Sequence, residues 1–338
     1  MTQSHQQRIP VGISMGDPAG IGPEIIVKAL ETPKHYEDMI PVIYGDPAVI
    51  ERAVAVTGRK TTIRTIGSAV QASGNPNCLE VVVTSESATI PPFGEVRAES
   101  GDAAVKAIMG VVEAAKQGDV SVINTAPINK EAMRKAGYPF PGHTEMLAKL
   151  FNVQRVLTMF IVGDLRVFFL TRHHPLKVAI DLMTVDSVYE GIEQSVMHLH
   201  DLGFPNPILA VAALNPHAGE NGLIGREEQD ILIPAIERAK KEGWPVVGPI
   251  PADSVFFQAR TGRYTGVLSL YHDQGHIATK TLDFNGTVSV TLGLPTVRTS
   301  VDHGTAFDIA GKGTADAHGQ SEALKVANTL GRLLAAKR

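Results

Sequence analysis

The sequence is short of cysteine, of long apolar runs and of net charge, and each shortage removes a class of protein. Its one cysteine, Cys78, cannot form a disulfide within the chain and fits a reducing compartment. No apolar run comes near the roughly 20 residues that a membrane-spanning helix requires. Residues 1–10 are polar and lack the apolar core of a secretory signal, so a cytoplasmic protein with no membrane partner is expected. Basic and acidic side chains number 31 and 35, a net charge of -4. That balance gives no reason to expect nucleic acid or an anionic membrane as partner. Internal repeats and low-complexity tracts are missing too.

Glycine and proline, by contrast, supply 32 and 21 of the 338 residues. Many cluster in short polar segments at the ends of apolar runs, where sites are commonly mounted on a rigid scaffold. The remaining composition, 43% hydrophobic and 20% charged, is that of an ordinary globular protein. Its length suits one large α/β unit or two lobes. Short runs rich in β-branched residues predict buried strands at 10–15, 41–44, 79–83, 120–124, 166–171, 207–214 and 265–271. Segments of helical period predict helices at 101–116, 185–202, 225–241 and 320–337. Strand and helix in turn imply an α/β sandwich on a largely parallel sheet. Residues 87–101 read as a long loop, and a second lobe could begin at 124–127.

Three histidines lie just past predicted strands: His173 in Thr-Arg-His-His-Pro-Leu, His217 in Asn-Pro-His-Ala-Gly-Glu and His272 in Tyr-His-Asp-Gln-Gly. Parallel sheets gather ligands outside the carboxyl ends of their strands. Neutral imidazole is a common metal ligand, and three of them leave a position on Zn²⁺ open to substrate oxygens. Each histidine alone reads more readily as a hydrogen-bonded loop residue; the three together weigh evenly between that and a ligand set, and spacing does not decide between the two.

Residues 16–24, Gly-Asp-Pro-Ala-Gly-Ile-Gly-Pro-Glu, join the first strand to the first helix. Pro23 suits the start of that helix and Glu24 the positive end of its dipole. The amides there could bind an anion, or the segment is only a capped turn. It is neither a P-loop nor a dinucleotide fingerprint. The overlapping Gly12-Ile13-Ser14-Met15-Gly16 has the form of a hydrolase elbow, but Asp17-Pro18 and two glycines intervene before any helix. In Gly142-His143-Thr144-Glu145, Thr144 either caps a helix or joins His143 in holding a phosphate. Lys280 and Arg298 are cations in small or apolar surroundings; Arg298 suits a phosphate or carboxylate, with a salt bridge as the alternative. Residues 301–313 form a small-residue loop that a flat ring or a phosphate can approach closely, and Gly311-Lys312 lacks the spacing and hydroxyl of a Walker motif.

Taken together, the segments 16–24, 125–130, 142–145, 215–220, 271–275 and 300–306 resemble the 4-hydroxythreonine-4-phosphate dehydrogenase family, in order over almost the whole chain. The resemblance implies two α/β/α lobes with a central cleft, like the isocitrate and isopropylmalate dehydrogenases. Residues 1–125 plus 295–338 would form the first lobe, and 126–294 the second, with metal and dimer contacts. It implies a homodimer with the site near the subunit interface, and one divalent metal (Zn, Co, Mn, Ni or Mg) on His173, His217 and His272. His174 is implied to be a neighbour and not a ligand. A small anionic substrate would meet His143, Thr144, Lys280, Ser289 and Arg298. Asp253, Asp273 and Lys280 are the implied catalytic groups. The loop 303–313 also resembles the adenine-binding loop of the isopropylmalate and isocitrate dehydrogenases, which places NAD (or NADP) on His303, Gly304, Thr305, Ala306 and Asp308. Phe307 stands where those enzymes have proline, and Asp316 where they often have asparagine.

The implied reaction is NAD-linked oxidation, with decarboxylation, of 4-phosphohydroxy-L-threonine or of D-threonate or D-erythronate 4-phosphate. One departure bears on the substrate: Ser289 stands where the family usually has asparagine in its phosphate site. Serine donates one hydrogen bond where the amide donates two. A branch of the family that oxidises the cis-dihydrodiol of terephthalate is therefore an alternative. A metal-dependent lyase or aldolase is another, against which the adenine-type loop speaks. A non-catalytic binding protein is the third.

Overall fold

The structure, a computed structural model, describes residues 8–336. Most of the polar N-terminal stretch and the last residue of the expected C-terminal helix, Lys337, lie outside that range. The described chain divides into two compact units, residues 8–156 with Gly293–Ala336, and Leu157–Leu292.

Unit 1 is built on the strands Ile9–Ser14 (β1), Met39–Gly45 (β2), Thr62–Ile66 (β3), Cys78–Val83 (β4), Val122–Thr125 (β5) and, near the end of the chain, Val297–Val301 (β12). All pair in parallel, in the order β3-β4-β2-β1-β5-β12. Successive residues divide between two cores: Ile43 and Val122 pack with Ile26 and Leu324, while Val42 and Ile123 pack with Ile108 and Val111. Both faces of the sheet are therefore covered, which is why its strands read as near-continuous apolar runs. The helix Ala98–Gln117 covers one face and ends at Gly118, whose φ of 82° is the left-handed cap that glycine adopts without strain.

The expected lobe boundary at 125/126 is displaced. Residues 126–156 belong to unit 1. The helix Lys130–Lys135 lies so close to Ala98–Gln117 that a Cβ on Gly101 would fall 2.2 Å from the Ala132 carbonyl oxygen. Met133, Met146, Leu147 and Phe151 complete the core around Ile108 and Val111. Apolar burial therefore keeps this segment with the strands before it.

Unit 2 carries Leu157–Val162 (β6), Leu165–Phe169 (β7), Leu209–Ala212 (β8), Val246–Ile250 (β9), Gly266–Ser269 (β10) and Val288–Leu292 (β11). Strands β7, β10, β8 and β9 are neighbours in that order and parallel. Strand β6 pairs antiparallel with both β7 and β11. Only Gly163-Asp164 separates β6 from β7, and so short a connection forces an antiparallel return. The helix expected at 225–241 begins instead with a wider π-type turn, Glu228–Leu232, before regular helix at Ile233–Lys241. Glu228 there is committed to a loop described below. Among the described residues no helix is long and apolar enough to cross a membrane.

Candidate active site

In unit 1 the neighbouring strands β1, β5 and β12 open at their carboxyl ends onto the turn 16–22, the segment 126–130 and the loop 303–313. Arg298, in β12, is only 5% exposed. Its Nε and Nη2 donate to the Thr125 hydroxyl at 2.9 and 2.6 Å. Burial pushes its pKa down to about 9, so the guanidinium is still charged at neutral pH. His143 opens the helix His143–Phe151. Its Nε2 is shielded from water and has no hydrogen-bond partner among the described residues. Burial first, then the charges of Arg298 and Lys130, hold the ring well below the usual histidine pKa and hence neutral. Thr125, Lys130, His143, Arg298, Ser300 and His303 line one cavity of about 200 Å³. Thr144 lies inside the helix and does not cap it, since Gly142 holds the cap position without a side-chain bond. A guanidinium this buried strongly attracts an anion that reaches the cavity.

The turn 16–22 is scaffold, and the anion-binding reading of its amides does not hold. The amides of Ala19, Gly20 and Ile21 are taken by Asp17 Oδ1 (2.8 Å), the Asp17 carbonyl (3.1 Å) and the Thr305 carbonyl (3.0 Å). Gly16, at φ 75°, could carry a Cβ only by placing it 2.5 Å from the Pro127 oxygen. Pro23 and Glu24 occupy the start of the helix Gly22–Ala29 as expected, and Glu24 also accepts a bond from the Gly311 amide. The first helix thus carries the 303–313 loop. Asp17 is fully buried, and burial raises its carboxyl pKa to about 6 despite the amides of Ala19 and Asn129. Ser14 is fully buried in β1, which removes any nucleophile elbow. On the loop, His303 Nδ1 lies 3.0 Å from the Gly304 carbonyl oxygen, and a Cβ on Gly304 would meet none of the described residues within 4 Å. Thr305, Ala306 and Asp308 follow on the same run, with Ala306 at φ 41°.

Unit 2 places its histidines past the ends of β7, β8 and β10, which are adjacent in the sheet order β7-β10-β8. Thr171 donates to the Leu270 carbonyl at 2.8 Å, tying the segment of His173 to that of His272. Gln274 accepts from the Leu270 amide and donates to the Ala213 carbonyl, both at 2.7 Å, so the start of the helix His272–Leu282 is fixed to two strand ends. The rings of His173 and His272 lie 5.8 Å apart between centroids. His272 Nδ1 is 2.7 Å from Asp273 Oδ1, and His217 Nδ1 is 2.6 Å from Glu220 Oε1. His217 stands on a run in the left-handed region, with φ 51°, 55°, 41° and 57° at His217, Ala218, Glu220 and Asn221. The buried Glu228 clamps the base of that run, accepting from the amides of Leu214 (2.8 Å) and Asn215 (2.7 Å). Among the described residues no three His, Cys, Asp or Glu side chains close into a metal-holding group. His173 and His272 are brought together; the expected set of three is not closed by His217.

Asp253 and Asp273 line one groove of about 480 Å³ with Phe257 and Ile277. Lys280 Nζ sits 4.6 Å above the Phe284 ring, and Ser289 of β11 stands opposite Phe160 of β6. Lys280 and Ser289 thus belong to unit 2, and His143, Thr144 and Arg298 to unit 1. Sequence reasoning gave no role to three residues that stand at these places: Thr125, Lys130 and His276. The last is 8% exposed, stacks at 4.1 Å on His272 and packs on Phe160 and Phe169 at 4.4 and 4.8 Å. Its spacing of four from His272 was a usable helical signal.

Residues 37–327 match the family described as pyridoxal phosphate biosynthetic protein PdxA. The chain belongs to the PdxA family. A relative from Cutibacterium acnes, provisionally named D-threonate 4-phosphate dehydrogenase, is 49% identical over 96% of this chain and 94% of its own length. The solved 4-hydroxythreonine-4-phosphate dehydrogenase of Burkholderia phymatum has a TM-score of 0.87 at 41% identity, covering 96% of this chain and 99% of that one. A terephthalate 1,2-cis-dihydrodiol dehydrogenase of Burkholderia xenovorans LB400 is more distant, at TM-score 0.66 and 28% identity over 96% and 98%. As a PdxA-family protein the chain is an oxidoreductase acting on a CH–OH group. The family resemblance and the α/β class read from the motifs both stand.

Proposed function

We propose that this protein is a metal-dependent, NAD-linked dehydrogenase that oxidises and decarboxylates a small phosphorylated hydroxy acid of the D-threonate 4-phosphate or 4-phosphohydroxy-L-threonine kind. The observation that carries the reading is the unit 1 cavity, where Arg298 is charged and buried beside a neutral His143. A cavity of about 200 Å³ with that lining fits a phosphate better than an uncharged ring.

The donor chemistry of His173, His217 and His272 suits a divalent cation, with His173 and His272 already brought together and His217 outside that pair. A carboxylate at Nδ1 of His217 and of His272 favours the tautomer that leaves Nε2 as the lone-pair donor. The dinucleotide fits the loop 303–313, whose Gly304 leaves open space above the backbone. Held by these residues, a divalent metal would supply Lewis-acid activation of the substrate hydroxyl and a nicotinamide would supply the hydride acceptor. Arg298 and His143 fix one end of the substrate, so that its carbinol carbon is presented in one orientation. Asp273, whose Oδ1 is committed to His272, orients that ring. Lys280 and Asp253 are then the groups that move the hydroxyl proton and return one after CO₂ leaves. The active protein is a cytoplasmic homodimer in this reading.

Ser289 favours a second reading, oxidation of a cis-dihydrodiol, because it weakens the donor set expected for a phosphate. One panel separates the two: D-threonate 4-phosphate, D-erythronate 4-phosphate, 4-phosphohydroxy-L-threonine and the terephthalate dihydrodiol, each with NAD and NADP, followed as reduced nicotinamide and CO₂. Turnover of a 4-phosphorylated acid with CO₂ release is expected. Turnover of the dihydrodiol alone would select the second reading, and aldol cleavage without nicotinamide reduction would sink both.

A further inference from the structure

Lys130 borders the unit 1 cavity, yet the resemblance to the family gives it no part. It is the first residue of the helix Lys130–Lys135, whose start is capped by Asn129 accepting from the Ala132 amide at 2.9 Å. The backbone beneath it is therefore fixed, while the side chain is exposed. Among the described residues it makes no ion pair. Its Nζ reaches 3.8 Å from the point a Cβ on Gly142 would occupy, beside the residue that leads into His143. Glu145 Oε2 lies 3.3 Å from the same point.

Charge counting gives this position a purpose. Arg298 contributes one buried positive charge and His143 none. A phosphate monoester carries about -1.5 to -2 at neutral pH, so Arg298 alone leaves it under-neutralised. We propose that Lys130 is a substrate-binding residue, a mobile cation that closes over the cavity and supplies the second positive charge to a phosphate held by Arg298 and His143. Lysine suits the role, being a hydrated point charge on a flexible stem beside the fixed fork of the arginine. This rests on the phosphorylated-substrate reading above.

The test compares Lys130→Met and Lys130→Arg with the unaltered chain, by steady-state kinetics with D-threonate 4-phosphate and NAD and by calorimetry with inorganic phosphate. Lys130→Met is expected to raise the KM for the phosphorylated acid about tenfold or more, with kcat changed less than about twofold, as removal of a charge-assisted contact would. The KM for NAD should stay put, phosphate affinity should fall in parallel, and Lys130→Arg should restore most of both. An unchanged substrate KM and phosphate affinity in Lys130→Met would overturn the assignment, as would a rise confined to the KM for NAD. The calorimetric arm needs no turnover. It therefore judges Lys130 even if the unaltered enzyme oxidises no phosphorylated acid, a result that would instead refute the proposed function.

Discussion

Arg298 in unit 1 is 5% exposed, whereas the side chains of His217 and His272 in unit 2 are 66% and 40% exposed. The histidines stand past the carboxyl ends of the adjacent parallel strands β7-β10-β8, whereas Arg298 is the second residue of β12 and reaches Thr125, the last residue of its parallel neighbour β5. Parallel strands carry both sets, and the dielectric is opposite. A desolvated cation selects its ligand by charge, because water does not screen it. Exposed imidazoles, each turned by a neighbouring carboxylate, offer lone pairs to an ion that brings its own charge. In the proposed function, unit 1 recognises the anion and unit 2 holds the metal.

Breaking unit 2 should have the largest effect. His272→Ala is expected to lower kcat/KM on the order of 1,000-fold, the several kcal/mol that a Lewis acid supplies. Nicotinamide reduction and bound metal should be lost together, and full activity at undetectable metal would remove unit 2 from the chemistry. Next comes Arg298→Met, which should raise the KM for a phosphorylated acid about 100-fold. An equal loss with the unphosphorylated dihydrodiol would mean a structural role for Arg298.

A third prediction tests how dry unit 1 is. The native carboxyl of Asp17 titrates at about 6 and the ordinary one at 3.8. The native state therefore holds this proton more tightly than the unfolded chain does. Its contribution to stability falls as pH rises through that interval and stays low above it. Relative to wild type, Asp17→Asn should gain about 2 to 3 kcal/mol between about pH 4 and about pH 8, read by denaturant melts. A pH-independent difference would show that water reaches Asp17. Smallest is Ser289→Asn, expected to lower the KM for a phosphorylated acid about threefold by adding a donor; no change would take Ser289 away from the phosphate.

The histidine-bearing strand ends were legible because apolar β-branched runs stop there against proline or glycine. Strand β12 was not. Its Val-Arg-Thr-Ser-Val has an apolar residue only at each end, and its buried polar groups find partners far away in sequence. Arg298 meets Thr125 across 173 positions, and Thr299 meets Asn124 across 175. Strand β3 escaped because its Thr-Ile-Arg-Thr-Ile is largely exposed. The domain boundary was misjudged because Pro127 looks like a linker, while Met133 and Met146 bind the next segment into the core before it. In the site, His143 and Arg298, both singled out from the sequence, line one cavity. Lys130 stayed hidden because its approach to Gly142 is a packing fact with no local signal.

The most direct test of metal dependence is the rate of nicotinamide reduction from D-threonate 4-phosphate by chelator-stripped enzyme as Mn²⁺ or Co²⁺ is titrated back. The account predicts no rate at the start and saturation at about one metal per chain, with His217→Ala failing to respond. A full rate before any metal is added, or an undiminished response in His217→Ala, would contradict it.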